Sequence, residues 1–122
     1  MATGVPAAAA KTGEHAGERL VRSTLNRYQT AYSQLDAAAA TAVYPSIDRQ
    51  ALEDAFNGLA SHHVTLGRCE VRVEGAAATA DCTGEARWRP KVGGGVQTAP
   101  RRWRFELRDA GDEWIITRAN VR

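Results

Sequence analysis

Cys69 and Cys82 are the only thiols in the chain, and the segment between them, "EVRVEGAAATAD", decides what chemistry they can do. Glu74-Gly75-Ala76-Ala77 puts glycine at the first central position of a two-residue turn, where a II′ geometry needs positive φ. Counting outward from that turn, Val73 faces Ala78, Val71 faces Ala80 and Cys69 faces Cys82. Arg72 with Thr79 and Glu70 with Asp81 share the opposite face. Alternation along the ladder places the cysteines on a non-hydrogen-bonded pair with Cα atoms about 4.5 Å apart, the short end of what a disulfide spans. A disulfide on the buried face is expected, and two reduced thiols packed as small hydrophobes are the alternative. With no C-x-x-C and no second ligand pair at metal spacing, no metal site, redox role or cofactor is expected. A persistent disulfide implies an extracytoplasmic or secreted setting, and reduced thiols a cytoplasmic one.

Proton transfer needs a titratable group in a partly desolvated pocket. Tyr28 and Tyr32 fall on the apolar stripe of the first helix, where phenols commonly serve as core with a satisfied hydroxyl. His62 and His63 read as a solvated turn or helix end after the third helix. Arg118 shares parity with Trp114 and Ile116, and so can point inward and hold a carboxylate, whereas a bulge at the edge would rotate it out. Glu70, Asp81, Glu85 and Glu106 have outward parity, which leaves the inner face without an acid or base on the strands.

Between Glu85 and Arg108 seven basic residues stand against two acidic ones. Trp88 and Trp103 interleave with them, as in a nucleic-acid surface. By parity, however, the tryptophans face in and the arginines out, so stacking and charge lie on opposite sides. Nucleic acid is the least favoured partner. A face of cross-strand charge pairs is preferred, with Trp88 opposite Phe105, Arg87 opposite Glu106 and Glu85 opposite Arg108. Docking of an acidic partner domain or an anionic membrane surface comes second. Burying so charged a face in a sheet-to-sheet dimer is costly, so a monomer or weak homodimer is expected.

These groups need elements to position them. Val21, Leu25, Tyr28, Tyr32 and Leu35 recur at helical spacing from about residue 18. Asp36 can cap a short alanine-rich helix that ends before Pro45, and Asp48 a third carrying Leu52, Phe56 and Leu59. After His63 the period changes to two: strands run through Cys69 to Val73, Ala78 to Trp88, Trp103 to Leu107 and "EWIITRANV". "PKVGGGVQTAP" and Asp109-Ala110-Gly111-Asp112 connect them. Helices followed by an antiparallel meander give an α+β domain, with three N-terminal helices on the concave face of a curved sheet of about four strands.

A chain of 122 residues with 43% hydrophobic and 25% charged residues is one ordinary globular domain rather than a disordered chain. Residues 1–17 read as a flexible linker, or a tail added with its own Met1, ahead of a domain over 18–122. They lack the basic start and long apolar centre of a secretion signal.

The segments "ERLVRSTLNRYQTAYSQLDAAAATAVYPSID", "ALEDAFNGLA", "CEVRVEGAAATADCTGEARWRP" and "RRWRFELRDAGDEWIITRA" resemble, in order, the nuclear transport factor 2-like superfamily. That group includes polyketide-cyclase-like and ketosteroid-isomerase-like proteins. The resemblance covers about residues 16 to 122 and is nearest to domains appended to bacterial serine/threonine kinases and envelope proteins, which similarly carry the cysteine pair. It implies a cystatin-like cone whose opening takes a small ligand. No catalytic residue carries over. The ligand-contact candidates are Tyr28, Tyr32, Trp88, Trp103 and Arg118, for a small apolar or carboxylate ligand. The expected function is a non-catalytic ligand-binding or protein-interaction domain, sensory or accessory, within a larger bacterial protein. A small-molecule enzyme of cyclase-like or isomerase-like type is the alternative.

Overall fold

The computed structural model describes the chain from Gly4 onward, with side chains from His15. Of the tail expected over residues 1–17, residues 1–3 lie outside the described residues, and the backbone from Gly4 onward is the start of α1. Three helices, α1 (Gly4–Ser33), α2 (Ala37–Val43) and α3 (Arg49–Asn57), precede four strands: β1 (Leu59–Glu74), β2 (Ala77–Pro90), β3 (Gln97–Asp109) and β4 (Trp114–Val121). The sheet is an antiparallel meander in the order β1-β2-β3-β4. It curves around the helices without closing, as the periodicity predicts.

The helix ends follow side-chain chemistry. Leu35 adopts φ +55°, and the Asp36 amide reaches back to the Ala31 carbonyl at 2.9 Å, which turns the chain sharply out of α1. Asp36 then accepts from the Ala39 amide and Asp48 from the Ala51 amide, each at 3.0 Å, so both are N-caps.

The core sits between α1 and the concave face: Val21, Leu25 and Tyr28 meet Phe105, Leu107, Trp114 and Ile116, all nearly sealed from solvent. Within it Thr24 is the buried polar residue among the described residues, and its hydroxyl donates to the Trp114 carbonyl at 2.6 Å. That bond ties the helix to the start of β4 and meets the cost of burying a hydroxyl.

The β1–β2 register is the one the turn predicts: Val73 pairs with Ala78, Val71 with Ala80 and Cys69 with Cys82. Gly75 has φ +62° and Ala76 does not share the positive φ, as a II′ turn requires. The two cysteines form a disulfide, with Cα atoms 4.0 Å apart. The β2–β3 register differs from expectation. Trp88 pairs with Gln97 rather than Phe105, a slip of eight residues (105 − 97), and Arg87 and Glu85 lie opposite Thr98 and Pro100. β3 begins inside the connection, before Pro100. At that point β4 has already ended, since Val121 pairs with Trp103. Here β3 is an edge, and proline's missing N–H costs no ladder bond on the open side.

Candidate functional site in the cone and on the sheet

Three extra residues decide which groups face the cone. On β1, Leu59 and Ser61 oppose the adjacent Pro90 and Arg89, and Leu66 and Arg68 oppose Gly84 and Thr83, so Ala60 and Gly67 are bulged out. On β4, Ile116 and Arg118 oppose Leu107 and Glu106, leaving Thr117 extra. Each bulge reverses the alternation. The inward set on β1 is therefore His62, Val64 and Leu66 before Gly67, and Cys69, Val71 and Val73 after it.

His62 is the residue that the sequence reading left on a turn or helix end. It lies in β1 beside Trp88, not on a turn. Its Nδ1 sits 2.8 Å from the Tyr32 carbonyl at the end of α1. A carbonyl only accepts, so Nδ1 is the donor in this contact. Its ring centroid lies 6.5 Å from that of Tyr32 and 6.3 Å from that of Phe56. The bulge at Gly67 turns it inward, and that bulge carries no side-chain signal.

Tyr28 and Tyr32 stack at 4.2 Å, Tyr28 meets Phe105 edge-on at 5.0 Å, and Tyr32 meets Phe56 edge-on at 5.4 Å. Tyr28 is 3% exposed. Burial, and then the neighbouring Tyr32, hold its phenol far above its ordinary value, and burial also raises Tyr32. Aromatic rings thus fill the middle of the cone. Tyr44, at the end of α2, accepts from the Ala119 amide at 3.2 Å and closes the β4 side.

The shifts set an alkaline limit on stability. Below about pH 10 the phenols are neutral in both folded and unfolded chains and the folded state keeps its full advantage. Above it the unfolded chain ionises while the folded one resists, so stability falls as pH rises. Urea denaturation from about pH 9 to about pH 11 is expected to show this decline, and Tyr28→Phe to flatten it.

Of the five ligand-contact candidates, Tyr28, Tyr32 and Trp103 meet in the core. Trp88 stands apart, beside His62 at the open end of the concave face, with the Arg101 guanidinium 5.6 Å from its ring centroid. Arg101 has inward parity, so charge and stacking do share a side there, contrary to the expected separation. Arg118 is turned outward by the Thr117 bulge, 4.0 Å from Glu106 and 66% exposed, and does not join the others. Glu70, Asp81, Glu85 and Glu106 are exposed on the outer face, as their parity predicts. Among the described residues no group of three or more His, Cys, Asp or Glu is placed to hold a metal. No described helix is long and apolar enough to cross a membrane.

The outer face carries a groove of about 580 Å³, whose lining includes Arg68, Thr83, Arg102, Arg104 and Arg122. A second groove, about 360 Å³, runs between α1 and α2 beside Asn26, Thr30 and Ala42. Both lie outside the cone.

Three helices closed over a curved four-stranded meander define the cystatin-like α+β cone of the nuclear transport factor 2-like proteins. Comparison with solved structures shows the same fold. A nuclear transport factor 2-like superfamily protein from Salmonella enterica serovar Typhimurium aligns over 88% of this chain and 91% of its own, with TM-score 0.80 and 12% identity. A nuclear transport factor 2-like protein with a cystatin-like fold from Novosphingobium aromaticivorans aligns over 93% and 85%, with TM-score 0.72 and 20% identity. A protein of inferred dehydratase activity from Streptomyces avermitilis, named to the same family, aligns over 88% and 96%, with TM-score 0.78 and 11% identity. No protein-family model matches the chain, and no curated protein does.

Proposed function

We propose that this domain is a non-catalytic ligand-binding or protein-interaction module, sensory or accessory, of a larger bacterial protein, and that it works outside the cytoplasm. One observation carries the reading: the cone is packed with Tyr28, Tyr32, Phe56, Trp103 and Phe105, while the strand carboxylates stand on the opposite face. No Asp or Glu of the strands faces that interior, so the sheet's carboxylates do not supply an acid–base pair there. The disulfide supports the compartment. A small apolar or carboxylate ligand would enter where Trp88 and Arg101 remain half-open, and an acidic partner domain would meet the arginines of the outer face.

The second reading, an enzyme of isomerase-like or cyclase-like type, is favoured by His62, which stands in the cone beside Tyr32. Proton NMR of the protein with a panel of aromatic and carboxylate compounds separates the two. We expect saturable shifts at Trp88 and Arg101 with every compound recovered unchanged. Product signals that vanish in His62→Gln would establish the enzyme instead.

A further inference from the structure

The outer face of the sheet mixes acids and bases, and one row gathers three like charges. Reading across the four strands, one row runs Arg72, Thr79, Glu106, Arg118 and the next Glu70, Asp81, Arg104, Asn120. In both, acids answer bases: Arg104 reaches both Asp81 oxygens at 3.1 and 3.3 Å, and Arg118 faces Glu106. The following row is Arg68, Thr83, Arg102, Arg122. It holds three guanidiniums and no Asp or Glu. Among the described residues none of the three has a carboxylate within ion-pair distance.

Its geometry concentrates the charge. Arg102 and Arg122 exchange both backbone hydrogen bonds, at 3.0 and 2.9 Å, so they stand directly opposite on neighbouring strands. Like charges in that arrangement repel. Arg68 approaches from two strands away, roughly 10 Å by strand spacing, on the far side of Thr83. Thr83 is short, which leaves the floor between the arginines open, and its hydroxyl adds a donor. The groove of about 580 Å³ on this row is within the range of small-molecule sites.

We propose that this row is a binding site for a small multivalent oxyanion, an organic phosphate or polycarboxylate with at least two charged groups, held by Arg68 and the Arg102–Arg122 pair. Guanidinium forks match phosphate and carboxylate oxygens bidentately, and the ligand supplies the negative charge the row lacks. Glu70 and Asp81 border the groove. They limit its length and repel an extended polyanion, so the occupant is compact rather than a nucleic-acid strand. The inference takes up the non-catalytic reading above and names a ligand class for it.

The test is an amide NMR titration of the intact protein with pyrophosphate and, separately, citrate at about 0.15 M salt, where surface charge is largely screened beyond roughly 8 Å. The expected result is saturable shifts centred on Arg68, Thr83, Arg102 and Arg122. Arg102→Gln is expected to weaken binding about tenfold or more, whereas Arg87→Gln on the same face leaves it unchanged. Whichever probe binds more tightly identifies phosphate or carboxylate as the preferred source. Shifts spread evenly over the basic strip, equal losses in the two variants, or no saturation with either probe would overturn the site. So would a single-stranded oligonucleotide that binds these residues more tightly than both. A null titration leaves the non-catalytic reading standing, whereas turnover in the preceding experiment removes that reading without touching this site.

Discussion

Gly84→Ala is expected to destabilise the domain by about 3 kcal/mol or more and to leave most of the protein insoluble. Gly84 pairs with Leu66 at the place where Gly67 is bulged out of β1, so backbone passes directly over its Cα. A Cβ there would overlap the Thr65 carbonyl oxygen and stand 2.8 Å from the Gly67 nitrogen. Both obstacles are backbone, so a rotamer change cannot relieve them. The control is Gly95→Ala in the β2–β3 connection, where an added Cβ meets nothing within 4 Å and φ is ordinary. Its effect should stay within about 0.5 kcal/mol. Urea denaturation of both variants measures the difference, and a Gly84→Ala protein as stable as the Gly95→Ala protein would mean that the bulge does not cross Gly84.

The same bulge marks the limit of what the sequence tells. Turn chemistry and side-chain period are local, and where they act alone the reading holds: Gly75 sets the hairpin, Asp36 and Asp48 cap helices, and the Cys69–Cys82 pairing follows by counting. A bulge adds one residue without changing side-chain type, so parity counted across it is wrong. His62, read as a turn after the third helix, lies in the cone for that reason, and Arg118, whose parity allowed the inward side unless an edge bulge rotated it out, faces Glu106. The β2–β3 register failed for another reason. A glycine-rich connection does not say where pairing resumes, and Pro100 is tolerated in a strand only because β4 stops short of it. The row of Arg68, Thr83, Arg102 and Arg122 depends on that register and on the Gly67 bulge together, so counting residues could not assemble it.

Removal of the disulfide, by Cys69→Ala with Cys82→Ala, is expected to cost about 3 kcal/mol, the chain-entropy value for a loop of this length. The two residues are 13 apart in sequence. For a domain of this size the cost corresponds to a fall of roughly 10 °C in Tm. Cys82 is 2% exposed and packs in the core, so the double variant also gives up a little apolar contact there. Alanine keeps the face apolar and avoids burying an unpaired hydroxyl, as serine would. The hairpin should still form, because its turn, its register and the Val71–Ala80 and Val73–Ala78 pairs do not depend on the bridge. Reductant should lower the Tm of the parent protein by a similar amount and leave the double variant unchanged, which separates bond loss from side-chain loss. A loss below about 1 kcal/mol would show that the β1–β2 hairpin already persists in the unfolded chain, leaving little loop entropy for the bridge to remove.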